Sequence, residues 1–253
     1  MTRLLLMLLL LLPGAAAAEE IVAGLSQSAV SITADFSGSE ILIYGAVKRD
    51  TPVPEGSGPL RVIITVQGPD ETLTVRRKDR RFGVWVNSAA VEIGHAPSFY
   101  AIATSAPLRE ILTQTEDMRH SITLPRAIRA VGISDDADNA PAFTEALQRL
   151  RTAGNRYRLE ENTVSLTEET LFRTDIALPA ELTDGSYFVR IFLIRDGHVI
   201  DTLKRAIWVR KAGLERFLFE AAQDQPLLYG LASLMIAAFA GWAASALFAR
   251  LRW

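Results

Sequence analysis

The feature that most constrains this sequence is an apolar run near its C-terminus. Residues 227–249 read LLYGLASLMIAAFAGWAASALFA and contain no charged side chain. A helix of about 20 residues crosses the roughly 30 Å hydrocarbon core of a bilayer, where lipid offers the backbone no hydrogen-bond partner. The run therefore predicts a transmembrane helix, and the chain before it is a domain on a tether.

A second apolar run, residues 1–18, opens the chain. Arg3 precedes a leucine-rich core, and small residues end the run with an A-x-A pattern at Ala16 and Ala18. This order is typical of a secretory signal peptide, and the run is short for a spanning helix. We expect cleavage before Glu19, with an uncleaved anchor as the alternative.

The charges that flank the C-terminal run predict its orientation. Residues 223–226 carry no positive charge, whereas Arg250 and Arg252 follow the run. Lys and Arg stay preferentially on the cytoplasmic side of a span. We therefore expect a single-pass protein of the inner (cytoplasmic) membrane, with residues 19–226 in the periplasm and the C-terminus in the cytoplasm.

Composition argues against several classes of function. The chain has 27 Lys and Arg against 29 Asp and Glu, so its near-neutral charge gives no reason to expect nucleic acid. It has no cysteine, which removes thiol catalysis and thiolate metal ligands. It also lacks G-x-S-x-G and Walker-loop motifs. The sequence thus predicts no cofactor and gives no catalytic motif.

Alternating apolar and polar residues predict β-strands through most of the periplasmic part. The alternation is clearest at residues 30–36 and 60–67, and Gly- and Pro-rich clusters separate the strand candidates. The Asp-Gly dipeptide between residues 187–195 and 198–209 favours a type I′ hairpin. We predict a mainly β fold with an Ig-like antiparallel β-sandwich, either one sandwich or two in series.

A helical insertion is predicted inside the β pattern. Apolar residues recur at i, i+3, i+4 and i+7 from Phe143, and Asp138 or Asn139 can cap the helix. A further amphipathic helix precedes the apolar run, lying on the membrane surface or packed on the sandwich. The predicted parts are signal peptide 1–18, β part 19–106, helical insertion 107–155, β part 156–211, juxtamembrane helix 212–226, transmembrane helix 227–249 and cytoplasmic tail 250–253.

Histidines and aspartates are the side chains that a metal site in this chain would use. His95, His120 and His198 have no ligand-type spacing, so a metal site would need the fold to bring them together. Three aspartates within residues 135–138 suggest calcium, but the stretch lacks the glycine of an EF-hand loop. A capped helix start explains the same aspartates.

Four phrases carry a family resemblance: GVWVN at 83–87, PSFYAIATSAPL at 97–108, LPAELTDGSYFVRIFLIRDG at 178–197 and GLERFLFEAAQDQPLLYG at 213–230. Through them the mature chain resembles an uncharacterised family of alphaproteobacterial single-span transmembrane proteins with a periplasmic domain and a C-terminal membrane helix. Members are often encoded beside permeases of the sulfite-exporter type. The resemblance therefore implies an integral membrane transporter as a partner, and it implies no catalytic residue.

Two sets of residues are candidate partner-binding sites. Small residues four positions apart form a stripe in the apolar run along which another helix can approach closely. A basic run lies where two strand patterns meet; a solvated turn is the default interpretation, and docking of an acidic partner loop or of anionic headgroups is the sharper one. The two sets are Ser233, Ala237, Gly241 and Ser245, and Arg76, Arg77, Arg80 and Arg81.

Two functional classes remain open from the sequence. The favoured class is a membrane-anchored periplasmic interaction or accessory protein that contacts the inner-membrane bilayer and docks on an integral membrane partner. The alternative is a periplasmic ligand-binding protein or enzyme whose site is assembled by the fold. A deep pocket with convergent polar groups would favour the alternative, and an exposed apolar patch would favour the interaction module.

Overall fold

Three β-sheets contain about half of the described residues, which confirms the predicted mainly β fold. The computed structural model describes residues 19–32, 36–50, 52–53, 56–128, 140–211, 222–223 and 225–251. The strands are β1 (Glu19–Leu25), β2 (Ala29–Ile32), β3 (Ser39–Arg49), β4 (Arg61–Gln67), β5 (Asp70–Arg81), β6 (Val84–Pro97), β7 (Tyr100–Thr104), β8 (Tyr157–Glu160), β9 (Ser165–Thr167), β10 (Leu171–Leu178), β11 (Gly185–Arg195) and β12 (His198–Lys211).

Among the described residues, the helices lie in two parts of the sequence. Four of them occupy the segment predicted as a helical insertion, and the fifth includes the C-terminal apolar run. They are α1 (Leu108–Ile111), α2 (Gln114–His120), α3 (Leu124–Ala127), α4 (Ala140–Ala153) and α5 (Pro226–Leu251).

The strands form a four-stranded sheet in the order β1-β3-β10-β9, a six-stranded sheet in the order β2-β12-β11-β4-β7-β8, and the separate hairpin β5-β6. The predicted antiparallel pairing holds for the other described strand pairs, and one edge differs, where β7 and β8 pair in parallel. A parallel pair needs a crossover connection. The segment with α1 to α4 provides it, so the predicted insertion links two strands of one sheet.

The six-stranded sheet forms the centre of the core. Strands β4 and β7 are buried on both faces, as expected for near-continuous apolar runs between two covering layers. One face packs against α1 to α4 and the base of the β5–β6 hairpin. Buried residues in this cluster include Ile63, Tyr100, Ile102 and Phe192 of the sheet with Ile93, Ile122 and Leu147 of the covering layer.

The four-stranded sheet buries one side only. In β10 exposed and buried residues alternate along most of the strand, the pattern of a sheet with one solvated face. Strand β10 contacts β7 of the six-stranded sheet. This arrangement agrees with the predicted sandwich.

Several local predictions can be compared directly with the structure. Strands β11 and β12 are joined by Asp196 and Gly197, both at positive φ, which confirms the predicted hairpin. Helix α4 confirms the predicted helix. Three other predictions lie outside the described residues: the cap of this helix, the aspartates at 135–138 and the signal peptide 1–18. Of the predicted juxtamembrane helix 212–226, only residues 222–223, 225 and 226 are described.

The chain divides into two compact units, one with residues 1–30 and 37–209, the other with residues 31–36 and 210–253. The first contains the sheet core. The second contains α5, in which the stretch Pro226–Ala246 is long and apolar enough to cross a membrane. None of the most apolar part of this stretch is buried. The predicted apolar helix is therefore present.

Candidate functional site

The β5–β6 hairpin is the most unusual surface of the first unit. Its base packs on the core through partly buried Leu73 and Val75 and buried Val91 and Ile93. Beyond them, side chains of both strands are exposed or partly exposed as far as the turn. We call residues 76–90 the distal hairpin. At about 3.3 Å per residue, the six residues from Arg76 to Arg81 extend roughly 20 Å.

The interpretation of the basic run as a solvated turn is wrong. Residues 76–81 lie inside β5, and the turn follows at Phe82 and Gly83, whose φ angles are 51° and 84°. Two adjacent residues at positive φ correspond to a type I′ turn, which usually contains Asn, Asp or Gly. Phenylalanine is not a turn signal, so the sequence pattern placed the turn too early.

Positive charge is concentrated on the distal strand of this hairpin. The run of residues 76–81 contains five cationic side chains and a single carboxylate, Asp79. The five cations are exposed, and none of them forms an ion pair with another described residue. Their charge is therefore available to an external anionic group.

Large apolar side chains surround the turn. Phe82 is 106% exposed, Trp85 66% and Val84 64%, and Val86 is also exposed. Single exposed apolar residues are common on protein surfaces, but a contiguous group marks a contact site. We call Phe82, Val84, Trp85 and Val86 the apolar tip. Sequence reasoning missed it, although the string FGVWV directly after a basic run was a readable signal.

The strand register distributes these side chains around the hairpin. Arg81 pairs with Val84, Arg80 with Trp85, and Asp79 with Val86. Residues directly opposite share a face, and neighbours along a strand alternate. Trp85 therefore lies on one face with Arg80, while Val84 lies on the other with Arg81. Both faces of the tip combine an apolar residue with a cation.

The fold brings together two of the three histidines, around Glu116 of α2. The Glu116 side chain is 3% exposed; its Oε2 lies 3.4 Å from His120 Nε2 and its Oε1 lies 3.7 Å from His198 Nδ1. Arg119 donates a hydrogen bond of 3.0 Å to Oε1. His95 lies elsewhere, 3.7 Å from Asp70. Within the described residues, no group of three or more His, Asp or Glu side chains is arranged to hold a metal ion.

Arg190 of β11 is held rigidly near this cluster. It donates hydrogen bonds to Thr65 Oγ1 (3.2 Å), to the His120 carbonyl (2.8 Å) and to the Tyr100 hydroxyl (2.9 Å). Burial raises the pKa of Tyr100 even though the Arg190 charge acts in the opposite direction. The hydroxyl therefore stays protonated and donates to the Ile122 carbonyl (2.8 Å).

A groove of about 500 Å³ opens beside Arg190. It is open to solvent, and it combines positive groups with the carboxylate of Asp70. Its lining includes Gln67, Asp70, His95, Arg119, His120 and Arg126. The arrangement could hold a small polar ligand, but no deep enclosed pocket is formed at this position.

Helix α5 contains the predicted small-residue stripe. Ser233 donates to the Tyr229 carbonyl (2.8 Å), so its polar group is satisfied within the helix. A side chain at Gly241 would meet nothing within 4 Å among the described residues. The stripe is thus accessible to a partner helix, and its role in binding stays a prediction.

Comparison with known protein families decides the class of protein. Residues 20–250 match the model of the family described as "Putative transmembrane protein (Alph_Pro_TM)". The chain belongs to this family. Membership in the Alph_Pro_TM family confirms the predicted family resemblance, and with α5 it fits a single-pass membrane protein. A comparison with curated proteins finds no match.

Proposed function

We propose that this Alph_Pro_TM protein is a membrane-anchored periplasmic accessory protein that docks on an integral membrane partner, such as a transporter. In this proposal α5 crosses the inner membrane and the C-terminal tail is cytoplasmic. The β part lies in the periplasm after removal of residues 1–18, and the domain limits predicted above apply.

The observation that carries the proposal is the distal hairpin. Aromatic and arginine side chains dominate the energetics of contact surfaces. Here they stand exposed together at the end of a two-stranded ribbon, where they add nothing to the core. An exposed apolar patch bordered by charges marks a protein or membrane contact site. The hairpin therefore supports an interaction role better than a catalytic one.

The position of Glu19 supports the proposed cleavage site. Glu19 is the first residue of β1, and its carboxylate accepts hydrogen bonds from Arg49 and Arg195. The residue that follows the predicted cut is thus bonded into the described fold. Removal of residues 1–18 would leave each of the twelve described strands intact.

Partner contact inside the bilayer is proposed for the α5 stripe. Without a hydrophobic driving force between helices in lipid, association depends on close packing, which small residues permit. Ser233, Ala237, Gly241 and Ser245 recur every four positions and so share one side of α5. An integral membrane partner with a matching small or grooved surface would pack along this side.

Purification of the full chain in mild detergent, followed by mass spectrometry, tests the proposal. We expect an integral membrane protein to co-purify, and Gly241→Leu to reduce its recovery several-fold because the added side chain separates the helices. The matched control is Ala243→Leu, since position 243 lies about 200° around the helix from 241. The proposal fails if no integral membrane protein is enriched over an unrelated single-span control.

The orientation is tested separately with reporters fused after Trp253. A fluorescent protein that matures in the cytoplasm should be bright there, and alkaline phosphatase, which needs the periplasm, should be inactive. Active phosphatase at this position would place the C-terminus outside the cytoplasm and contradict the proposed topology.

A second candidate function, binding of a small periplasmic ligand, is favoured by the groove beside Arg190. Arg190 is partly buried and bonded to neutral acceptors, so its charge is not neutralised by a bonded carboxylate. Small carboxylates and oxyanions should then raise the melting temperature of the full chain. Arg126→Gln, at the exposed rim, should weaken that response if the groove is the site.

A further inference from the structure

We propose that the distal hairpin is a site for the headgroup layer of an anionic phospholipid bilayer. The apolar tip would enter the layer, and the cations beside and behind it would bind phosphate groups. This inference rests on the proposed function, in which the protein acts at the membrane, and it names what the hairpin contacts there.

The order of residues along the hairpin matches the order of groups in a membrane interface. The apolar tip lies within about 10 Å of the turn, with Arg80 and Arg81 at the same level, and the other cations lie up to roughly 20 Å behind the turn. Interfacial elements bury their apolar side about 5–10 Å deep, at the boundary between headgroups and acyl chains. Tryptophan, arginine and lysine are the residues that anchor at this depth.

The distribution around the hairpin favours lipid over a protein groove. Trp85 and Val84 lie on opposite faces, each opposite a cation of the neighbouring strand. A groove in a partner protein would cover one face of the ribbon and leave the other in water. Entry of the tip into a fluid headgroup layer surrounds both faces at once.

The turn itself shows a conflict that an external contact resolves. Phe82 adopts φ 51°, a conformation that is strained for a bulky residue, in a turn that favours Asn, Asp or Gly. Its fully exposed ring gains nothing from burial in the described fold. Local strain without local compensation indicates a functional constraint. An aromatic ring inserted among headgroups gains the burial that the fold does not provide.

Charge provides the second part of the attraction. Arginine forks bind phosphate through paired hydrogen bonds, and the arginines of the distal hairpin have no competing carboxylate partner among the described residues. Near an anionic surface each Lys or Arg raises binding roughly fivefold at moderate salt. Because α5 belongs to the same chain and is proposed to cross the bilayer, contact of the hairpin with that bilayer would be an intramolecular event.

The test uses a label on the full chain in lipid nanodiscs. The natural chain has no cysteine, so Val84→Cys gives a single site for a fluorophore beside Phe82 and Trp85. The reference label is Leu150→Cys on α4, which is 63% exposed. We expect the label at 84 to be several-fold less accessible to aqueous acrylamide in discs with anionic phosphatidylglycerol than in phosphatidylcholine discs, and the label at 150 to be unaffected.

Variants of the labelled chain separate the contribution of the positive charges to the shielding from that of the aromatic ring. Replacing Arg76, Arg77, Arg80 and Arg81 with Ser should abolish most of the shielding, whereas replacing the same four with Lys should keep most of it. Phe82→Asn should reduce the shielding without lowering the melting temperature. Salt at 0.5 M or above should weaken it, because screening is short-ranged at that strength.

Several outcomes would overturn the lipid assignment. Equal accessibility in both types of disc would exclude a role for anionic lipid. Shielding that depends on the number of chains per disc would assign the tip to a second copy. If the four Arg→Ser changes abolish partner co-purification in detergent and leave shielding unchanged, the arginines bind protein, and the proposed function stands without the lipid site. Intact shielding with no co-purifying partner would reject the proposed function alone.

Discussion

Two hairpins of this protein share the same turn geometry and have opposite surroundings. In the β11–β12 hairpin, Asp196 and Gly197 adopt φ angles of 51° and 78°; in the β5–β6 hairpin, Phe82 and Gly83 adopt 51° and 84°. Each pair joins two antiparallel strands of eleven or more residues. The backbone path therefore does not decide what a hairpin end is used for.

The side chains make the difference. Asp196 accepts a hydrogen bond from the Gly58 amide (3.1 Å), and the Gly197 carbonyl accepts one from Thr113 (3.0 Å), so this turn is fastened to neighbouring loops. The turn at Phe82 has an aromatic residue where Asp would suit the backbone. One turn is held by hydrogen bonds to its neighbours, and the other has a fully exposed aromatic residue at a strained backbone position.

The largest expected difference between the hairpins comes from their glycines. A methyl group on Gly197 would lie 2.7 Å from Thr113 Cγ2, whereas one on Gly83 would meet nothing within 4 Å among the described residues. Both substitutions to Ala add backbone strain of about 1–2 kcal/mol, and overpacking adds about 1–3 kcal/mol. We expect Gly197→Ala to lower the free energy of unfolding clearly more than Gly83→Ala, measured by chemical denaturation in detergent. Equal losses of stability in the two variants would show that packing around the glycine does not distinguish the two hairpins.

The ion pair beside the fastened turn gives the next effect. Arg195, the last residue of β11, binds Glu19 at 2.9 Å, and both side chains are about one-tenth exposed. Arg195→Lys loses the fork geometry and should cost about 1–2 kcal/mol. Arg173→Lys, in the exposed pair with Asp175, should change stability by less than about 0.5 kcal/mol. Comparable losses would mean that burial does not strengthen the Arg195 pair.

The Glu19–Arg195 pair also predicts that the stability of the fold depends on pH. Burial opposes ionisation of Glu19, but hydrogen bonds from Arg49 and Arg195 outweigh it, so the pKa of the carboxyl lies below its ordinary value of 4.5. A lowered folded pKa contributes stability above about pH 4.5, which is lost as the pH falls through the folded pKa.

Melting temperatures between pH 7 and pH 3 measure this contribution. Arg195→Gln should reduce the difference between the two ends of that range. Arg80→Gln in the distal hairpin should leave it unchanged, since Arg80 pairs with no described carboxylate. An unchanged profile in Arg195→Gln would contradict the assignment to Glu19.

The smallest expected effect is a gain in stability, whereas the preceding variants lose stability. Phe82→Asn replaces a residue strained at positive φ with one that tolerates it, and no burial is lost. We expect the unfolding free energy to stay equal or to rise by up to about 1 kcal/mol. Phe82→Leu keeps the strain and should give no gain. A clear loss of stability in Phe82→Asn would show that the ring supports the fold.

The sequence predicted the fastened hairpin and missed the end of the exposed one for the same reason. The Asp-Gly dipeptide is a strong turn signal because both residues accept positive φ, and it located Asp196 correctly. Phe-Gly is not such a signal, so the charges of residues 76–81 were interpreted as the turn. A pattern based on average preferences fails where a residue is retained against its backbone preference.

Other features depended on contacts distant in sequence. The parallel pairing of β7 with β8 spans the helical segment, and no local periodicity specifies which strand becomes the neighbour of β7. The meeting of His120 and His198 at Glu116 likewise depends on α2 lying against the β11–β12 turn. The apolar helix α5 was predictable from length and composition alone, because a bilayer requires about 20 consecutive apolar residues in a helix that crosses it.

The contact between Glu19 and Arg195 also constrains the order of folding during synthesis. The two residues are 176 positions apart, so β1 emerges long before its ionic partner exists. Strand β1 can pair early with the nearby β3, and Glu19 with Arg49, but long-range contacts such as the one with Arg195 form slowly. Only about thirty residues separate Arg195 from Pro226, at the start of α5. The Glu19–Arg195 contact therefore waits until most of the β part has been made, and the hydrophobic helix follows soon after it.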